Sequence, residues 1–173
     1  RMNEIKNDGA VIRALGQYAE NVSTAPDAGV AFRYAEEATR ELIGHRLFTI
    51  MQFDPVAMQV KRCYSSNPDD YPPGGHKEKR DTQWGRHVLE QGRYYLGSNA
   101  EDIRANFDDH DVIAKLGLES VLNMPIRNLG QTIGTMNLLD VAGYYRQDHV
   151  VVASVIAAGL ASVLLHLNFR NKC

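Results

Sequence analysis

Four consecutive residues, Asp108-Asp109-His110-Asp111, bring three carboxylates and an imidazole together, the donor types of a divalent metal site. The same run suits the start of a helix, where acids accept from free backbone N–H groups and complement the dipole. The capping reading is preferred, because His45, His76, His87, His149 and His166 fall at no paired ligand spacing. No metal is therefore expected. Cys63 follows Lys61 and Arg62, and a thiol pKa lowered by those cations would make a redox nucleophile. Neighbours one and two positions away need not share its strand face, and a lone internal cysteine ordinarily packs. Lys77-Glu78-Lys79-Arg80 reads by default as a solvated loop, and otherwise as a lid over an anion. No Ser/His/Asp, phosphate-loop or zinc-finger spacing occurs, so no enzyme is expected. A thiol redox enzyme using Cys63 is the competing class.

The remaining chemistry is binding. Trp84, the single tryptophan, and Tyr64 and Tyr71 can stack on a flat ligand or anchor a core. Asn123 and Asn137 lie in apolar strands, where a bare amide must find a partner. An unbulged hairpin turns the two to opposite faces, so at most one meets a ligand, and Met136 then shares the face of Asn123. Ser98, Asn99 and Asp102 open a helical segment and serve equally as cap or as ligand contacts.

These residues need elements to hold them. The segment Glu119–Asp140 carries two apolar runs around Asn128-Leu129-Gly130-Gln131, a hairpin signal. With Leu129-Gly130 central, Ile126 faces Ile133, Met124 faces Thr135 and Leu122 faces Asn137. Both faces are mostly apolar, so the hairpin is central to its sheet and covered on both sides. Leu47–Phe53 and Met58–Tyr64 form a second hairpin around Asp54-Pro55-Val56-Ala57, and Tyr94–Ser98 is a fifth strand. Seventeen residues, Ser65–Asp81, show no regular pattern and form a binding loop or plain disorder. Apolar spacing gives helices over about Glu4–Asn21, after Asp27 up to Gly44, and over Gln147–Leu167. Short helices follow Thr82 and Asp108-Asp109. The order describes an α+β sandwich, with the first, second and last helices on one sheet face. The long loop, the Trp84 helix and Asp102–Leu116 cover the other, loosely enough to leave a ligand pocket.

A chain of 173 residues fits one such domain, divided as an N-terminal helix over 1–24 and a sandwich over 25–173. A formal charge of −2 argues against a nucleic-acid partner. Two cysteines, Cys63 and Cys173, fit a cytoplasmic setting. Arg1 before Met2 suggests that Met2 is the native start. Val150–Leu165 is uncharged for sixteen residues, short of the roughly 20 that span a bilayer, so no membrane partner is expected. That helix is apolar on nearly all sides and calls for burial on nearly all sides. Val151, Val155, Ala158 and Ser162 share one stripe, and with Ile5, Ile12 and Leu15 of the first helix they are the candidate homodimer interface.

The stretch SVLNMPIRNLGQTIGTMNLL, with Pro125, Gly130 and Gly134 at the family's spacing, resembles the penultimate hairpin of GAF domains. The element order resembles that family over about Ala28–Phe169, and fits a PAS domain worse because two helices precede the first strand. The resemblance implies a profilin-like antiparallel sheet, a small-molecule pocket opposite the terminal helices, and dimerisation through those helices. It also implies what is missing. Cyclic-nucleotide-binding members carry Asn-Lys…Phe-x-x-x-Asp-Glu after the hairpin. Here Asp140-Val141…Tyr144-x-x-x-Asp148-His149 keeps only the Asp, so a cyclic nucleotide is not expected. Neither cysteine sits where covalent bilin attachment needs one, and methionine-sulfoxide-reducing members need several cysteines around the pocket. The expectation is a sensory module signalling the occupancy of an unidentified small organic ligand. A dimerisation domain with a filled, vestigial pocket is the other alternative.

Overall fold

The computed structural model describes residues 2–170, with side chains from 8 to 167. The Ile5 side chain and Cys173 lie outside the described residues. Six strands form one antiparallel sheet in the order β3-β2-β1-β6-β5-β4. They are β1 Leu47–Asp54, β2 Gln59–Ser65, β3 Gly74–Glu78, β4 Tyr95–Gly97, β5 Ser120–Asn128 and β6 Gln131–Asp140. The central position of β6 and the burial of β5 and β6 on both faces match the continuous apolar runs of the sequence. Leu129 and Gly130 both take positive φ, 49° and 81°, the primed turn that suits strand twist.

Helices α1 (Met2–Ser23), α2 (Ala28–Leu42), α5 (Gln147–Gly159) and α6 (Ala161–Arg170) back one face. Asp27 caps α2 by accepting from the Val30 amide at 2.9 Å. Their apolar residues enclose Phe48, Ile50, Leu122, Met124, Ile126, Met136 and Leu138 of the sheet. The expected single last helix is two. At the junction the Tyr18 hydroxyl donates to the Ile156 carbonyl. The Leu160 amide bonds to the Ala157 carbonyl at 3.0 Å, three residues back, and the turn is tight. Gly134 lets α6 close in, since a Cβ there would stand 2.5 Å from Leu164 Cδ1 and strike the Met51 carbonyl.

The sequence Gln147–Leu167 is long and apolar enough to cross a bilayer, yet Ala153, Ile156, Ala157, Leu160 and Leu164 bury one side of it against the core. Its other side is exposed in the single chain and is the stripe expected to meet a second copy. Val151 is 67% and Val155 47% exposed, in line with Ala158 and Ser162. Ile12 on α1 is 70% exposed, while Leu15 packs against the core.

The opposite face is roofed by the Ser65–Asp81 segment, a π-helix at Gly85–Glu90, α3 (Ala100–Asn106) and α4 (His110–Lys115). Ser65–Asp81 is neither featureless nor loose, because it contains β3, which pairs with β2 from Gln59↔Glu78 to Arg62↔Gly74. Around Trp84 the chain opens into the wider π turn, with the Gln91 amide bonding back to the Arg86 carbonyl at 2.9 Å.

Two bulges correct the expected faces. The β5–β6 register follows the unbulged pairing at Asn128↔Gln131 and Arg127↔Thr132, then slips by one between Ile126 and Arg127. From there inward Asn123 pairs Asn137 and Met124 pairs Met136. A slip of one residue exchanges the faces, so Asn137 joins Asn123 on the roof side and Met136 turns to the helices. In β2 the pairing passes from Ile50↔Tyr64 to Met51↔Arg62. The extra residue, Cys63, leaves Val60 on the roof side and sends Tyr64 to the helix side.

Candidate functional site

The centre of the roof side is a cavity of about 30 Å³, room for one or two waters. Its floor is Thr49 and Met51 of β1, Arg62 of β2, Val121 and Asn123 of β5, and Asn137 and Leu139 of β6. Lys77 of β3 flanks it, and Tyr71, Lys79, Trp84, Phe107, Asp109 and Ile113 close it.

The floor carries a buried polar row across three strands. Trp84 Nε1 donates to Asn123 Oδ1 at 3.0 Å, Asn123 Nδ2 to Asn137 Oδ1 at 2.7 Å, and Asn137 Nδ2 to Thr49 Oγ1 at 3.1 Å. An indole N–H can only donate, so it fixes which way both amides point. Each bond satisfies a group that would cost free energy if buried bare.

The wall carries charge. Asp109 sits at the N-terminus of α4 but makes no side-chain capping bond there, which corrects the capping expectation for this residue. Its Oδ2 accepts from Lys77 Nζ at 2.6 Å, from Arg62 Nη2 at 3.3 Å and from the Tyr71 hydroxyl. Burial alone would raise the Asp109 carboxyl. The bonds from Lys77 and Tyr71 and the charges of Lys77 and Arg62 outweigh it and hold the group below the usual carboxylate range. The Arg62 guanidinium stacks 3.5 Å from the centre of the Tyr71 ring and donates to the Pro72 carbonyl at 2.8 Å. Burial, with the Asp109 charge behind it, raises the Tyr71 phenol, so it stays protonated and donates. Lys79 is 5% exposed. Its Nζ stands 4.0 Å from the exposed Asp108 carboxylate and 5.4 Å from the Trp84 ring centre, and burial lowers its pKa against the pull of Asp108.

A second cleft of about 340 Å³ lies against the first and shares Lys79, Trp84 and Phe107 with it. Thr82, Gln83, Arg104, Asn106, Asp108 and His110 line its outer part.

Of the ligand candidates named from sequence, Tyr71, Trp84, Asn123 and Asn137 converge on the cavity. Tyr64 and Met136 do not, for the bulges described, and the Tyr64 hydroxyl bonds to Glu36 of α2. Ser98, Asn99 and Asp102 form a cap. Asn99 Oδ1 accepts from the Asp102 amide at 3.0 Å, and Asp102 Oδ2 accepts from the Ser98 amide at 2.8 Å. Sequence reasoning missed Arg62, and it met Lys77, Lys79 and Asp109 only as parts of a basic run and an acidic run. Among the described residues no three His, Cys, Asp or Glu side chains gather as a metal site would need. Cys63 points to the helix side, where burial pushes its thiol up to about 12 against the opposing Lys61 charge, and its Sγ donates to the Ile50 carbonyl at 3.3 Å. A thiol so held stays protonated at neutral pH and cannot serve as the proposed redox nucleophile.

No protein-family model matches the sequence, and no curated protein does. Solved structures do match the fold. The GAF domain of a phosphoenolpyruvate-protein phosphotransferase from Coxiella burnetii superposes with a TM-score of 0.76 at 15% identity, over 94% of this chain and 97% of that one. The GAF domain of a two-component sensor histidine kinase from Bacillus halodurans gives 0.67 at 15%, over 81% and 95%. The chromophore-binding domain of a bacteriophytochrome from R. palustris gives 0.70 at 12%, over 94% of this chain and 63% of that one. The fold is that of a GAF domain.

Proposed function

From that shared fold, we propose that this chain is a non-catalytic, cytoplasmic sensory module that binds a small organic ligand between sheet and roof. It reports occupancy through its terminal helices at a homodimer interface. The observation that carries the reading is the composition of the roof side. Where a structural core would be apolar, a row of oriented amides and three cations face an enclosed cavity that joins a larger cleft. Few, placed polar groups in a concave apolar setting are the usual make-up of a ligand site. Cys63 faces away from the cavity, so bound ligand would not be attached through it. Binding shifts the helices only if the ligand has different affinities for two arrangements of them. The exposed stripe through Val151 and Val155 supports the dimer, as an apolar helix face ordinarily meets a partner.

Native mass spectrometry of freshly purified protein tests both parts, with an expected dimer carrying a releasable small molecule. A monomer refutes the interface, and Val155→Glu should convert the dimer to monomer. The closed inner cavity, about 30 Å³, favours a second reading, a dimerisation domain whose pocket no longer opens. An intact dimer that no small molecule stabilises against heat would establish that reading over the first.

A further inference from the structure

The charges around the cavity do not balance. Arg62, Lys77 and Lys79 face it with Asp109 as the lone carboxylate in the lining. Asp109 directs one oxygen to Lys77, Arg62 and Tyr71, and its charge acts on Lys79 only from beyond ion-pair distance. The nearest acid to Lys79 is Asp108, at 4.0 Å and with its side chain 83% exposed, so water already solvates that carboxylate. Arg62 Nε is buried and has no hydrogen-bond partner among the described residues. A buried cation and a buried guanidinium N–H lacking close acceptors are both costly unless an anion meets them. The residues Arg62 and Lys79 line the same small cavity, and Lys79 also lines the adjoining cleft. The cavity has room for little more than the oxygens of one acidic group, whereas the cleft, at about 340 Å³, has the size of a metabolite site.

We propose that the ligand is a small organic oxyanion, its carboxylate or phosphate seated between Lys79 and Arg62 and its body lying in the outer cleft against Trp84 and Phe107. This rests on the ligand-binding reading above and narrows it to charge. The amide row on the floor holds Trp84 in place, and Asp109 holds Arg62 and Lys77, so the frame around Arg62 and Lys79 is fixed. Arg104 lines the outer cleft and, with Lys79, outnumbers Asp108, the one carboxylate in that lining, so the approach carries positive potential.

The test is thermal unfolding of the full chain in sodium acetate and in sodium phosphate, each against sodium chloride of equal ionic strength, with acetamide as the uncharged isostere of acetate. At about ten times its dissociation constant a specific oxyanion should raise Tm by about 3–6 °C, and acetamide should not. A response to acetate alone assigns a carboxylic acid, and to phosphate alone a phosphate ester. Lys79→Met should abolish the response and raise Tm without added anion, since it removes a buried charge. Lys79→Gln repeats the test should the methionine disturb packing. Lys61→Met, an equal charge loss on the exposed face of β2, should keep the response. No oxyanion response, an equal response to acetamide, or a response that survives both Lys79 variants overturns the inference. A neutral molecule released in native mass spectrometry would then leave the ligand-binding reading standing and the oxyanion inference fallen, whereas no released molecule would remove both.

Discussion

The bond from Trp84 Nε1 to Asn123 Oδ1, at 3.0 Å, can be measured by a double-mutant cycle. Asn123→Leu strands two buried groups, the indole N–H and Asn137 Oδ1, each at about 1–3 kcal/mol. Removing the buried amide itself offsets part of that, so a loss of about 2–4 kcal/mol is expected. Trp84→Phe strands Asn123 Oδ1 and gives up part of a ring that is 2% exposed, a loss of about 2–3 kcal/mol. In the double variant the indole N–H and Asn123 Oδ1 are both gone, so neither is left without a partner. The double loss should fall short of the sum by about 1–3 kcal/mol, or about 3–9 °C in Tm for a chain of this size. Trp84 is the only tryptophan, so urea unfolding is followed by far-UV circular dichroism in all four proteins. Additivity within about 0.5 kcal/mol would refute the reasoning, and with it the placement of Asn123 on the roof side beneath Trp84.

Three further outcomes are expected. Gly134→Ala drives a methyl into Leu164 Cδ1 and the Met51 carbonyl and should lower stability by about 1–3 kcal/mol; an unchanged urea midpoint would contradict the close approach of α6 to β6. The Asp109 carboxyl is held below its unfolded value, which is about 3.9, so its contribution is complete above that value and disappears as pH falls through the folded one. The stability gap between wild type and Asp109→Asn, measured by urea unfolding from pH 7 down to pH 2.5, should narrow towards the acid end, and a constant gap would show that the ion pairs contribute nothing. Cys63, pushed up to about 12 by burial, holds on the order of 10³-fold less thiolate at pH 8 than a free cysteine; it should label slowly with a thiol reagent until urea is added, and prompt labelling in the native state would count against the packing described.

The architecture was legible because its signals are local. Pro125, Gly130 and Gly134 mark the central hairpin, Asp27 and Gly44 bound α2, and continuous apolar runs call for two covers. The site was only half legible, since it depends on two single-residue slips. Gly134 beside the extra residue Ile133 is the one hint of the bulge in β6 and nothing in RCYS announces the one in β2, yet one bulge exchanges Met136 for Asn137 on the cavity floor and the other removes Tyr64 from it. β3 was hidden because GGHKE has poor intrinsic strand preference and is extended by pairing with β2. The union of Asp109 with Lys77 and Arg62 spans 32 and 47 residues of sequence, and local pattern carries no information about such a meeting. The Trp84 helix was visible as a helix, while its wide turn was not.

β3 has a neighbour on one side only, and a register irregularity between Lys61 and Arg62 interrupts even that pairing. Lys77 rides on this border strand and Lys79 follows directly from its end. Two of the three cavity cations are therefore mounted on or beside a hem held by a single seam, while the β1–β6–β5 weave is paired on both sides. Amide protons of Gly75–Glu78 should exchange with solvent well before those of β6.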